Sequence, residues 1–103
     1  MKEMDMITPV IGMGVTECMY SDRHANTIIK ISGTGKTIWI QRDKAIRTDK
    51  FGKSDKQTYK YEMDPNGIVQ KCTLRRDGTF RTLGENGSTI ILGQRDEYFD
   101  YSF

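Results

Sequence analysis

One stretch of the sequence, residues 27–47, limits the accessible folds more than any other part of the chain. It reads TIIKISGTGKTIWIQRDKAIR. Residues 27–31 are mostly β-branched, and such side chains lose little conformational freedom in an extended strand. Gly33 and Gly35 supply the positive-φ conformations of a tight turn, and a second apolar run follows at residues 37–41. The stretch therefore predicts two antiparallel strands joined by a glycine turn.

Alternation along the second run assigns its two faces. A strand places every second side chain on the same side, so Ile38 and Ile40 share one face and Trp39 lies on the other. We expect the isoleucine face to line the core. A large aromatic side chain contributes most of its energy when it leaves water, so Trp39 is expected to be buried under a loop. The alternative is a partly exposed Trp39 that contacts a ligand or partner.

The remaining chain repeats this pattern of short β-type runs separated by turn residues. Further strands are predicted at residues 15–20, 57–63, 68–75, 79–83 and 89–92. The sequence Asp-Pro-Asn-Gly at residues 64–67 is a strong turn signal, so the strands on either side of it are expected to pair and to begin a meander. The polar residues 21–26 predict a loop. No apolar repeat of helical period lasts three turns, so we expect at most one short helical turn, near residues 43–47.

The number of strands indicates the fold class. Six to seven short strands within 103 residues predict an all-β protein. Closing the sheet removes exposed strand edges, so we expect a small SH3-like barrel, with an OB-like barrel or a strongly bent antiparallel sheet as alternatives. The predicted organisation is an extended lead-in at residues 1–11 and a single β-domain at 12–103, with a long basic excursion at 42–57. The aromatic, acidic tail QRDEYFDYSF is expected to pack on the sheet as a strand or an irregular strap.

Charge and cysteine usage narrow the functional classes. The net charge of +2 is nearly balanced, so only local charge clusters favour nucleic acid. Cys18 and Cys72 lack metal-ligand spacing and the chain has one histidine, so we predict no metal site, no cofactor and no disulfide framework. The first residues have no apolar run of signal-peptide or membrane length, which predicts a reduced, cytoplasmic setting without membrane association.

The densest polar cluster is formed by Asp22, Arg23 and His24. One interpretation is structural, with Asp22 accepting backbone amide hydrogen bonds and Arg23 pairing with a carboxylate. A second is a binding loop in which Arg23 and His24 contact phosphate or an acidic group of a partner, since the planar fork of arginine suits that role. A third is catalytic, with Cys18 as nucleophile, His24 as base and Asp22 orienting the imidazole.

A second candidate is the basic segment at residues 42–60, which carries seven basic side chains against three aspartates. Basic groups beside an exposed aromatic ring bind single-stranded nucleic acid by phosphate neutralisation and base stacking. The alternative is a solvated loop whose charge is reduced by its own aspartates and by the acidic tail. The candidate contact residues here are Trp39, Arg42, Lys44, Arg47, Lys50 and Lys53.

Four motifs together carry a resemblance to known proteins: GMGVT at residues 12–16, SDRH at 21–24, IQRDKAIRTDKFGKS at 40–54 and the ending RDEYFDYSF. The set resembles a group of short uncharacterised proteins encoded by bacteriophages and prophages, and the resemblance spans nearly the whole chain. It implies a phage context and no particular reaction. Phage accessory proteins of this size commonly block host enzymes, mimic or mask nucleic acid, or sequester nucleotide signals of host immunity.

These observations lead to three functional hypotheses. The first is a non-enzymatic phage accessory protein, located in the host cytoplasm, that counters a bacterial defence system by binding a host protein or an anionic nucleotide. The second is a small-barrel nucleic-acid-binding protein, and the third is a small enzyme that uses Cys18, Asp22 and His24. The sequence leaves the oligomeric state open, since a lean core and an aromatic tail would also suit pairing between copies.

Overall fold

The computed structural model describes residues 8–19, 22–48, 59–83 and 87–98. Within these ranges the chain forms strands and turns, and none of the described residues forms a helix long and apolar enough to cross a membrane. The strands are β1 (Gly14–Cys18), β2 (Arg23–Ile31), β3 (Thr37–Arg42), β4 (Lys44–Arg47), β5 (Tyr59–Glu62), β6 (Val69–Leu74), β7 (Phe80–Thr82) and β8 (Thr89–Leu92).

Six of these strands form a closed antiparallel barrel in the order β1-β2-β3-β6-β7-β8. The ring closes because β8 pairs with β1, with Val15 opposite Leu92 and Cys18 opposite Thr89. Strands β4 and β5 form a separate two-stranded ribbon between β3 and β6 in the sequence. The predicted all-β small barrel is therefore confirmed, and closure leaves the six barrel strands without an unpaired edge.

The central hairpin is confirmed as β2 and β3, and it contains an irregularity that the sequence did not predict. Ile28 pairs with Ile40, but Lys30 is the next residue to pair, opposite Trp39. The intervening residue forms a β-bulge, which shifts the alternation of side chains by one position. As a result Lys30 lies on the outer face beside Trp39, and Ile31 returns to the inner face opposite Ile38.

Inward-facing side chains form one apolar core near the middle of the barrel. As predicted, Ile38 and Ile40 belong to it, and both are fully buried. The core consists of Val15, Ile28, Ile38, Ile40, Cys72, Phe80 and Ile90. Burial raises the pKa of the Cys72 thiol to about 12, so this cysteine is a packing residue and not a nucleophile.

Strand pairing differs from the sequence prediction around the Asp-Pro-Asn-Gly turn. The strands before and after this turn do not pair with each other, because β5 pairs with β4 and β6 pairs with β3. Pairing β6 with β3 places Cys72 opposite Ile38 in the core. The second edge of β3 needs a partner for the barrel to close, and this long-range requirement overrides the local turn signal.

Two further local predictions are wrong, again because pairing between strands overrides a local preference. The proposed helical turn near residues 43–47 is the strand β4, whose residues are held in register by β5. The proposed polar loop at residues 21–26 is shorter, because β2 begins at Arg23 and its first five residues, Arg23 to Thr27, pair with β1. The backbone ladder with β1 outweighs the preference of the polar side chains for a turn.

The C-terminal part of the described chain forms an irregular strap over β1 and β2. The Arg23 amide donates to the Tyr98 carbonyl at 3.0 Å, and the Tyr98 amide donates to the Arg23 carbonyl at 2.9 Å. This confirms the strap among the alternatives predicted for the tail. The aromatic residues that follow Tyr98, and residues 49–58 of the predicted excursion, lie outside the described residues.

The apolar core predicts a large difference between buried and exposed isoleucines. Ile40→Ala should lower the free energy of unfolding by about 2–5 kcal/mol, because it removes a fully buried side chain and leaves a cavity. Ile68→Ala is the matched control, since Ile68 is 73% exposed and its loss should cost less than about 0.5 kcal/mol. Urea unfolding followed by circular dichroism measures both, and equal losses would contradict the assignment of the core.

Candidate functional site

Trp39 lies on the outer surface of the barrel, between two lysines. The Lys30 Nζ atom is 4.7 Å from the centroid of the Trp39 ring, and the Lys71 Nζ atom is 5.7 Å from it. Both distances are those of cation–π interactions. The indole is half-buried and both lysines are exposed. The predicted burial of Trp39 under a loop is therefore wrong, and the alternative of a partly exposed ring is what the structure has.

The strand register places these three side chains in one row. Lys30 on β2 is the pairing partner of Trp39 on β3, and Lys71 on β6 is its partner on the other side. Neighbouring strands are about 4.8 Å apart, so the row crosses the strands at a right angle to their direction. We refer to Lys30, Trp39 and Lys71 as the Trp39 row.

The positive charge of the Trp39 row is not paired with any acidic residue that the structure describes. Among the described residues, no carboxylate forms an ion pair with Lys30 or Lys71. The outward positions of β3, β6 and β7 carry polar, apolar or basic side chains and no acidic residue: Thr37, Trp39, Gln41, Val69, Lys71, Thr73 and Arg81. This face is therefore a positively charged surface around one aromatic ring.

Arg42, one of the predicted contact residues, has a structural role. Its guanidinium donates two hydrogen bonds of 2.7 Å to the Glu97 carboxylate, whose side chain is fully buried. Glu97 also accepts a hydrogen bond from the Ala25 amide at 3.0 Å. The bond to Glu97 raises the pKa of Arg42. This pair fastens the strap to the barrel wall, and it makes Arg42 unsuitable as a free contact residue.

A second ion pair lies beside the first. The Arg95 Nε atom donates to the buried Asp43 carboxylate at 2.9 Å, and the Thr27 hydroxyl donates to the same carboxylate at 2.6 Å. The aliphatic part of Arg95 lies over Gly14, where an added Cβ would come within 2.6 Å of it. Gly14 is thus required for close packing, and the strap is held by two acid–base pairs.

His24 lies on the inner face of the barrel wall, opposite Glu17 on β1. Burial and the nearby Arg42 guanidinium lower its pKa, although Glu97, Glu17 and Asp22 act in the opposite direction. Cys18 is the pairing partner of Arg23, one position away from His24, so it faces the outer side of the wall. Cys18 and His24 therefore lie on opposite faces, and the wall separates the proposed nucleophile from its base.

The other predicted contact residues are dispersed. The Asp22 carbonyl accepts a hydrogen bond from the Met19 amide at 2.9 Å, and Arg23 is exposed. Lys44 and Arg47 are on the ribbon, opposite Glu62 and Tyr59 respectively. Lys50 and Lys53 lie outside the described residues.

The sequence named Trp39 as a candidate contact residue, although the first expectation for its side chain was burial. It did not point to Lys30 or Lys71. Period-two alternation could have assigned Lys71 to the outer face of β6, but the partner strand of β6 was predicted wrongly. Lys30 could not have been found by alternation, because a regular hairpin would have placed it opposite Ile38 on the inner face. The bulge decides its position, and no glycine marks it.

Neither a metal site among the described residues nor a similar known protein indicates a function for this chain. In the ranges that the structure describes, no group of three or more histidine, cysteine or acidic residues could hold a metal ion. Comparison of the chain with protein-family models, curated proteins and solved structures finds no match. The functional argument therefore depends on the geometry of the Trp39 row.

The environment of His24 predicts a specific pH dependence of stability. The unfolded chain binds a proton on His24 near the ordinary pKa of 6.5, and the folded chain does so only at lower pH. The contribution of His24 to the free energy of unfolding should therefore be constant well above pH 6.5 and should fall as pH drops toward the folded-state pKa. His24 is the single histidine, so His24→Gln should remove this component. Urea titrations at pH 7.5, 6.5 and 5.5 test this, and identical pH profiles for the two proteins would contradict it.

The strap ion pair predicts an asymmetry between its two partners. Arg42→Ala leaves a fully buried carboxylate without its cation and should cost about 3–5 kcal/mol. Glu97→Ala should cost less, because the side chain of Arg42 retains 27% exposure to water. Glu62→Ala, on the exposed side of the ribbon, is the control and should cost less than about 0.5 kcal/mol. Chemical denaturation measures all three, and an Arg42→Ala cost no larger than the control would argue against this role.

Proposed function

We propose that this protein is a non-enzymatic phage accessory protein that counters a bacterial host defence by binding an anionic nucleotide ligand on the Trp39 row. The observation that carries the proposal is the pair of ammonium groups 4.7 and 5.7 Å from the centroid of one solvent-accessible indole ring. Nucleotides combine a planar base with phosphate charge. The Trp39 row presents a partner for each of these two parts.

The physical basis is stacking combined with charge neutralisation. A base stacked on an aromatic side chain contributes about 1–3 kcal/mol, and every base has a π-face that can stack. Lysine carries its charge on a flexible stem, so Lys30 and Lys71 can leave the indole and follow a phosphate when a base takes their place. Binding by this route requires no reorganisation of the barrel strands.

Binding is favoured over catalysis by where the reactive groups lie. Cys18 and His24 are on opposite faces of the wall, and Cys72 is a buried thiol of high pKa. The most strongly paired charges, Arg42 with Glu97 and Arg95 with Asp43, attach the strap. The Trp39 row, in contrast, presents two exposed lysines beside a half-buried indole that a ligand can reach.

The phage setting rests on the resemblance of the four sequence motifs to short phage and prophage proteins. In that setting a nucleotide-binding surface would act in the host cytoplasm by holding a nucleotide that the defence system requires. A host protein as the ligand is the competing form of the same proposal, and the titration described next separates the two.

Titration of the intact chain with nucleotides tests the proposal, because Trp39 is the only tryptophan and reports directly on stacking. Nucleoside mono- and triphosphates and short oligonucleotides should quench its fluorescence with saturation. Isothermal calorimetry should show affinity for the same ligands reduced at least about fivefold in Trp39→Ala, from the loss of at least 1 kcal/mol of stacking. Lys60→Ala on the ribbon is a charge-matched control and should bind normally. No quenching by any nucleotide would overturn the proposal and favour a protein ligand.

A further inference from the structure

The arrangement of the Trp39 row also indicates which class of nucleotide it accepts. We infer that the preferred ligand is an internal segment of single-stranded nucleic acid that crosses β2, β3 and β6, bound more tightly than a free mononucleotide. This inference rests on the proposed function and adds to it the substrate class. It is carried by the positions of the cations relative to the ring and by the character of the neighbouring outward positions.

The first argument is that the cations flank the ring on two sides. Lys30 belongs to the strand on one side of β3 and Lys71 to the strand on the other, so their backbones are about 10 Å apart, twice the strand spacing. A mononucleotide carries phosphate on one side of its base and would engage one lysine. A nucleotide inside a strand has a phosphate on each side, and a base stacked on Trp39 would bring one phosphate to each lysine.

The second argument is that the surface beyond the row continues with suitable groups. On the next row of outward positions, Thr37 pairs with Thr73, and Thr73 pairs with Arg81 on β7. Hydroxyl and guanidinium groups donate hydrogen bonds to phosphate and sugar oxygens. The exposed Arg75 and Arg76 follow at the turn after β6. A strand longer than one nucleotide therefore meets hydrogen-bond donors and three arginines here, against the carboxylate of Asp77 near Arg81.

The third argument concerns base pairing. Trp39 is half-buried in the barrel wall between two lysines, so it can meet the face of an unpaired base but cannot enter the stack of a duplex. Recognition by stacking on a protein side chain is characteristic of single strands and of splayed bases. The ligand therefore has to be single-stranded where it meets the row.

The fourth argument predicts weak sequence preference. Thr37 and Gln41 are the outward neighbours of Trp39 along β3, and the Gln41 amide nitrogen donates to the Pro65 carbonyl at 3.0 Å and to the Gly67 carbonyl at 3.2 Å. These bonds hold the amide on the protein and reduce its capacity to read a base edge. Stacking and phosphate contact tolerate any base, so sequence should matter little.

The test compares nucleotide ligands that differ in length, in sugar and in whether they are single- or double-stranded. The full chain is titrated with thymidine monophosphate, an eight-residue oligothymidylate, the matching oligouridylate and an eight-base-pair duplex, with Trp39 fluorescence as the readout. At least one single-stranded octamer should bind at least tenfold more tightly than the mononucleotide and than the duplex. Its affinity should fall with salt with a log–log slope at least as steep as about −1.4, since the two phosphates neutralised by Lys30 and Lys71 contribute about −0.7 each.

Variants separate the contributions of the ring and the cations. Lys30→Ala with Lys71→Ala should make the salt slope shallower by about 1.4, the share of two phosphate contacts, and Lys60→Ala should leave the slope unchanged. Trp39→Phe should keep most of the affinity for a fluorescein-labelled octamer, and Trp39→Ala should lose at least about fivefold. Circular dichroism confirms that each variant is folded.

The outcomes distinguish this inference from the proposed function. Equal affinity for the mononucleotide and the octamers would overturn the inference and leave nucleotide binding intact. Tighter binding of the duplex would overturn it as well. Absence of binding to every one of these ligands would overturn both. A salt slope that is unchanged in the Lys30, Lys71 double variant would place the ligand elsewhere on the protein and refute the assignment.

Discussion

The pairing of β8 with β1 is the contact on which the rest of the structure depends, because it turns a row of six strands into a closed ring. In a closed ring each strand has one inner and one outer face, and alternation then assigns every side chain to the core or to the surface. A lean apolar content is sufficient under this constraint. Seven inward-facing side chains supply the core, and the outward-facing positions need not be apolar.

The charged side chains have two different roles in this structure. Arg42, Asp43, Arg95 and Glu97 are largely withdrawn from water and join the strap to β1, β2 and β3. Buried charges are tolerated there because each has an opposite charge and further hydrogen bonds. Lys30 and Lys71 remain exposed and lie against Trp39 without a carboxylate among the described residues. Of the fourteen acidic residues, Asp43 and Glu97 are used in these internal ion pairs, and the outward positions of β3, β6 and β7 carry none.

One irregularity links the fold to the proposed binding surface. The bulge between Ile28 and Lys30 keeps two isoleucines of β2 on the inner face and moves the lysine between them to the outer face. A regular strand would bury Lys30 opposite Ile38, at the large cost of placing an ammonium group in an apolar core. The requirement to keep that charge in water and the formation of the Trp39 row are therefore two consequences of the same backbone feature.

The sequence by itself determined the local features: the glycine hairpin, the inward isoleucines, most strand positions and the small-barrel class. These follow from backbone preferences and from period-two alternation, which act over a few residues. Tertiary structure alone decided that β6 pairs with β3, that Arg42 is held by Glu97 across 55 positions of the chain, and that Lys30 joins Trp39. Such contacts depend on how the six strands close into a barrel. Barrel closure selects one set of strand pairs among several that local sequence preferences favour equally. Trp39 could therefore be named as a contact residue from the sequence, whereas its neighbours Lys30 and Lys71 and the structural role of Arg42 could not.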